Sequence, residues 1–275
     1  MSHFSLLSQS QKLLVGGIFG TCIGVFVLNG ASDDLQRRRM KAAVKGDGAR
    51  GDHYQVTDGR LIKQQQPLPN SDSPLAPFLD KTWTAKFVRE NLVSSVRNMQ
   101  EGRYYTLLTS GINHGSISHL GMNMFGLWSM APLFIRASGS PIFIGTWILT
   151  GLAGATATMV QTRFKIRESL RGPYPNKSRA QYLWSQGSLG ASASILGLFG
   201  ALAILFPQTR WQILFIPYGI RAPILLGATL AFSVIADVAG FLPYVGHSAH
   251  IGGMMTGTII GLILKSRLPG GRMLR

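Results

Sequence analysis

The segment 188–201, Ser188-Leu-Gly-Ala-Ser-Ala-Ser-Ile-Leu-Gly-Leu-Phe-Gly-Ala201, opens with hydroxyls and glycines and then stays apolar up to Pro207. Small residues recur in it four apart, at Ala193, Gly197 and Ala201. On a helix that spacing puts them on one face, where another backbone can come close. A second apolar stretch, 247–264, carries the same device at Gly253, Gly257 and Gly261. It also holds His250, in the run Ala249-His250-Ile251-Gly252-Gly253. Two helices meeting along such faces can bring the Ser192 hydroxyl to the His250 imidazole, the minimum parts of a nucleophile and its base.

Outward from these two segments the chain repeats their material. Of 275 residues 46% are hydrophobic and 14% charged, and the apolar ones gather near 13–29, 119–135, 141–161, 190–206, 219–240 and 247–264. At about 1.5 Å rise per residue such blocks match a hydrocarbon core of about 30 Å. Soluble helices of this length carry a polar stripe, which these blocks lack. The expected fold is all-α: a polytopic membrane protein with a bundle of six transmembrane helices.

The net charge of +16 would point to nucleic acid in a soluble domain, but its distribution has a simpler cause. Loop 1 (30–118) and loop 3 (162–189) lie on one side of a six-span chain and hold 19 of the 27 Lys and Arg. The positive-inside rule places that side in the cytoplasm or the mitochondrial matrix, with both termini opposite. Anionic lipid headgroups are the partners this implies, and no nucleic acid. The single Cys22 excludes an intramolecular disulfide.

The chain divides into an N-terminal tail and first span (1–29), a polar first loop (30–105), five further spans (106–265) and a basic tail (266–275). Residues 1–12 hold one cation, Lys12, a poor match to a transit peptide. Residues 46–80, rich in Gly, Asp, Gln, Pro and Ser, read as a flexible linker. Around 81–100, Trp83, Phe87, Leu92, Val93 and Val96 alternate with Lys81, Lys86, Arg89 and Arg97, which reads as an amphipathic helix lying in the interface or packed on the protein.

Polar side chains mark the second block: His114, His119 and Asn123, the last two four apart and so on one helical face. Polar groups at membrane depth face a bundle interior or a water-filled cavity. Asp237, at the end of the fifth block, is a further intramembrane acid, read as a gate or packing residue. The loop 241–246 follows it and is placed to cover a site at that surface. Ser188, Ser192 and Ser194 compete as the nucleophile. Ser192, at the first turn of its helix, has free backbone N–H groups beside it for a developing oxyanion, and His119 and Asn123 can add donors. No third acid is evident, so a Ser–His dyad is the economical arrangement. There is no His-Glu-x-x-His, and neither a metal nor a cofactor is called for.

Three motifs in order carry a resemblance: His114-x4-His119-x3-Asn123, Gly190-Ala191-Ser192-Ala193, and Ala249-His250-Ile251-Gly252-Gly253. The chain resembles the rhomboid intramembrane serine proteases over about 11–29 and 103–265. The resemblance implies Ser192 as nucleophile, His250 as base, and His119, Asn123 and the Ser192 amide as oxyanion hole. His114, Gly190, Gly253, Gly257 and Asp237 are supporting residues. It further implies cleavage of single-span membrane proteins; the alternative is an inactive rhomboid-like protein that binds membrane clients. Ala193 stands where glycine is common, the Trp-Arg pair of many bacterial first loops is missing, and Leu196 replaces an aromatic that often stacks on the histidine. Asp237-Val-Ala-Gly and the basic first loop are more similar to the mitochondrial presenilin-associated rhomboid-like group, which implies the mitochondrial inner membrane.

Overall fold

A computed structural model describes residues 3–47, 54–57, 60–63, 76–212, 218–242 and 245–267. Its helices are α1 (Gln9–Asp47), α2 (Ala76–Lys81), α3 (Ala85–Asn91), α4 (Val96–Gln100), α5 (Thr106–Thr109), α6 (Ile117–Ser138), α7 (Ser140–Leu170), α8 (Lys177–Ser185), α9 (Ser192–Leu205), α10 (Ala222–Ala239) and α11 (His247–Arg267). Three two-stranded antiparallel pairs join them: β1 (Tyr54–Thr57) with β2 (Arg60–Lys63), β3 (Ser94–Ser95) with β4 (Gly187–Ser188), and β5 (Arg210–Trp211) with β6 (Ile220–Arg221). The chain forms two compact units, Met1–Val25 with Glu90–Arg275, and Phe26–Arg89.

Each of the six apolar blocks is a helix: α1, α6, α7, α9, α10 and α11. Three of them, α1 over Gln9–Arg38, α7 and α10, are long and apolar enough on their own to cross a membrane. The polar residues of α6, the shortness of α9 and the histidines and glycines of α11 keep those three from meeting that test. Large side chains such as Ile117, Val160, Ile224, Ile235 and Val238 stay exposed on the outside. An apolar exterior of this kind is what lipid tails require and water does not tolerate.

The larger unit is built around α9. Eleven of its fourteen residues are buried, so it is apolar on every side and wrapped by α6, α7, α10 and α11. Leu127, Ala131, Phe134 and Ile135 of α6, Phe143 of α7 and Leu198, Leu202 and Leu205 of α9 form its main core. Along α11 the backbone comes close: a Cβ at Gly253 would collide with the Ala193 carbonyl, and one at Gly257 with the Gly197 carbonyl. Only hydrogen at those positions lets the two helices meet.

Loop 1 differs from the sequence reading in its details. The first helix runs past residue 29 to Asp47, through a stretch of good helix formers in which Arg38 pairs with Asp34 at 2.7 Å. Its start is a capping box: Ser8 Oγ accepts from the Gln11 amide at 3.3 Å, and the Ser8 amide donates to Gln11 Oε1 at 2.9 Å. The amphipathic stretch 81–100 is broken by β3 rather than forming one helix, because Ser94 and Ser95 pair with Ser188 and Gly187. Beyond the break, Val96 and Met99 pack on Met159 of α7. Much of the 46–80 linker lies outside the described residues, as does the tail from 268 onwards. In the smaller unit Leu35, Ala76 and Leu79 form a core, and the Trp83 indole N–H donates to Asn29 Oδ1 at 2.8 Å.

Candidate functional site

Three helix starts, those of α6, α9 and α11, and the loop ahead of α9 define the site. The loop ahead of α9 is held from outside: Gly190 N–H donates to the Ser110 carbonyl at 2.9 Å, and β4 is tied to β3. Residues 92–113 form the supporting wall, in which Asn113 Nδ2 donates to the Leu92 carbonyl at 2.9 Å and Asn98 Nδ2 to the Val93 carbonyl at 2.7 Å. Leu92, Val93 and Val96 showed in the sequence only as an amphipathic stretch, and Asn98 and Asn113 did not stand out at all.

Gly190 turns the chain with φ of 113°, and α9 begins two residues later at Ser192. A Cβ at Gly190 would lie 2.5 Å from the His119 ring, so the glycine serves both the turn and the ring. His119 is set by its own helix start: Ser116 caps α6, its Oγ accepting from the His119 amide at 3.1 Å. One turn on, Asn123 Nδ2 donates to the His119 carbonyl at 2.8 Å, which leaves the second amide proton free to act elsewhere. His114 stacks edge-on to His119 with centroids 5.0 Å apart. It is 2% exposed, and neither ring nitrogen has a partner among the described residues. In the loop ahead of α6, burial and then the neighbouring His119 push the His114 pKa down to about 4.

The small-residue contact between α9 and α11 brings Ser192 Oγ to 2.9 Å from His250 Nε2. The other serines are engaged differently. Ser194 Oγ donates to the Trp147 carbonyl at 2.8 Å, and Ser188 sits in β4. A hydroxyl at hydrogen-bond distance from an imidazole can pass it a proton. The first turn of α9 offers backbone N–H groups with no acceptor inside the helix. Ser192, His250, His119 and Asn123 all line one cavity of about 1470 Å³.

Asp237 lines the same cavity. It accepts a hydrogen bond from Gln161 and pairs with Lys165 Nζ at 3.7 Å, tying the end of α10 to α7. Of the loop 241–246, Phe241, Val245 and Gly246 line the cavity, while Pro243 and Tyr244 lie outside the described residues. His247 was missed in the sequence, masked by its neighbour three residues on. It is buried, and its ring lies edge-on to His250 with centroids 6.4 Å apart. Among the described residues no group of three or more His, Cys, Asp or Glu is arranged to hold a metal.

Comparison with known proteins fits this geometry. The sequence profile of the Rhomboid domain matches residues 101–267. Rhomboid protein 1, mitochondrial, of Saccharomyces cerevisiae is 28% identical over 175 residues, covering 62% of this chain and 44% of that protein. The bovine presenilin-associated rhomboid-like protein, mitochondrial, is 28% identical over 152 residues, covering 55% and 36%. RHOMBOID-like protein 12, mitochondrial, of Arabidopsis thaliana is 25% identical over 196 residues, covering 70% and 54%. The chain thus spans about half or less of these relatives' length. A profile match that takes in everything but the first hundred residues and the last eight leaves one conclusion: this chain is a member of the rhomboid family.

Proposed function

We propose that the protein is an intramembrane serine endopeptidase that cleaves single-span membrane proteins. The observation that carries this reading is the 2.9 Å contact between Ser192 Oγ and His250 Nε2 at the start of a buried helix. In the proposed reaction neutral His250 takes the Ser192 proton as the hydroxyl attacks the scissile carbonyl. The tetrahedral oxyanion is held by the Ser192 backbone N–H, the His119 ring and the second Asn123 amide proton, each donor worth about 3–4 kcal/mol. His250 then protonates the leaving amine, and water hydrolyses the acyl-enzyme by the same path reversed. The scissile segment must leave its helix to expose its carbonyl, which favours substrates with small residues or Gly and Pro near the cut. His114, Gly190, Gly253 and Gly257 support this assembly by shape. The mitochondrial names of the relatives, with the apolar helices, support placement in the mitochondrial inner membrane.

A fluorophosphonate probe tests the reading. Detergent-purified wild type and Ser194→Ala are expected to be labelled, and Ser192→Ala and His250→Ala not. Folded wild type that resists labelling would refute the dyad and favour an inactive protein that binds membrane clients.

A further inference from the structure

His247 lies at the start of α11, one turn ahead of His250, and is 4% exposed. Its Nε2 is 3.1 Å from the carbonyl oxygen of Phe241. A carbonyl only accepts, so His247 donates to it from Nε2, with Nδ1 on the other side of the ring. That Nδ1 is buried and has no hydrogen-bond partner among the described residues. An apolar ring would fill the same space without burying an unpaired nitrogen. The imidazole therefore has a reason to be there other than bulk.

Phe241 belongs to the end of α10, since its amide donates to the Ala236 carbonyl at 2.9 Å. The hydrogen bond from His247 thus fastens the last turn of α10 to the first turn of α11. The rings form a continuous run along that joint. Phe241 meets Phe232 at 6.4 Å, Phe232 meets His247 at 6.0 Å, and His247 meets His250 at 6.4 Å, each pair close to perpendicular. On the α9 side, the residue one turn beyond Ser192 is Leu196, which has no ring to offer. Among the described residues, His247 is the aromatic ring packed on His250.

We propose that His247 is a positioning residue for the Ser192–His250 pair. Its ring steadies the His250 imidazole on one side, and its Nε2–H holds the end of α10 on the other. The setting of α10, whose outer face carries the exposed Ile235 and Val238, is thereby passed to the base. The inference rests on the proteolytic reading of the dyad.

Two substitutions separate the two jobs in the full-length protein. His247→Phe keeps a ring against His250 and loses the donor to Phe241. His247→Gln keeps a donor and loses the ring. Four quantities are read: the fluorophosphonate inactivation rate, kcat and KM on a single-span substrate in liposomes, and the melting temperature. His247→Gln is expected to be labelled about tenfold more slowly than wild type at an unchanged melting temperature, as a misaligned base demands. His247→Phe is expected to be labelled at close to the wild-type rate while its KM shifts several-fold. Wild-type labelling, kcat and KM in both variants would overturn the proposal alone. Wild-type protein that is not labelled at all would overturn the dyad and this inference with it.

Discussion

Replacing Gly257 by alanine puts a single methyl group into the seam that sets the Ser192–His250 distance. At Gly200, on the other side of that seam, an added Cβ would lie 2.6 Å from the Met254 carbonyl oxygen. Restoring ordinary contact near 3.4 Å there needs the helices to part by about 0.8 Å. At Gly257 the overlap, with the Gly197 carbonyl, is larger, so α11 must move away from α9 by about 1 Å or more. The dyad contact of 2.9 Å then opens towards 4 Å, beyond hydrogen-bond range. The overpacking itself costs about 1–3 kcal/mol of stability. The larger effect falls on chemistry, because a displacement of about 1 Å can cost on the order of a hundredfold in rate. The measurements are fluorophosphonate labelling and substrate cleavage in liposomes, alongside the melting temperature. Gly227→Ala is the control, since nothing lies within 4 Å of a Cβ there. A Gly257→Ala protein that stays folded and is labelled at the wild-type rate would refute the view that this seam sets the dyad.

Asn123→Ala is expected to lower kcat about 10²- to 10³-fold with little change in KM, since its free amide proton acts only on the oxyanion; a fall in binding alone would remove it from the hole. Asp237→Asn keeps an acceptor for Gln161 and loses the partly exposed pair with Lys165, so stability should fall by under about 1 kcal/mol. Its fluorophosphonate labelling should be unchanged; lost labelling would give Asp237 a part in the chemistry. For His114 the native pKa, about 4, lies below the ordinary value of 6.5, so the unfolded chain binds more protons between those two pH values. Stability should therefore decline as pH falls from about 6.5 towards 4, by at most about 1.4 kcal/mol per pH unit. His114→Phe should flatten the melting temperature over that window, and an unaltered pH profile would count against a neutral buried imidazole.

The contact between α9 and α11 was legible because both helices advertise it in the same period: Ala193, Gly197 and Ala201 meet Gly253, Gly257 and Gly261. A period-four pattern survives in sequence because it is local. The wall of residues 92–113 is not local. Ser94 pairs with Ser188, and Asn113 reaches the Leu92 carbonyl, and nothing in their own neighbourhoods announces it. Ser192 stood out from Ser188 and Ser194 by its place at the start of its helix and by its motif, but the engagement of Ser194 with the Trp147 carbonyl, 47 residues away, had no local sign. The basic run after residue 30 reads as loop because charge suggests solvent, yet its helix propensity carries α1 to Asp47. His247 had one available signal: three residues before His250 it shares that residue's face of the helix.

The shortness of α9 bears on the fate of a severed substrate. Fourteen residues make a helix of about 21 Å, some 9 Å less than the hydrocarbon thickness. With its far end level with one edge of that layer, Ser192 starts about 9 Å below the other, a depth of roughly six helical residues. A chain cut there leaves one fragment with a stub of about six apolar residues, far short of the ~20 that hold a segment across a bilayer. In the proposed reaction that fragment would lose its anchor and escape into water, while its counterpart would keep most of the span and stay behind. On the proteolytic reading, the length of one buried helix thus sets which half of a client would be released.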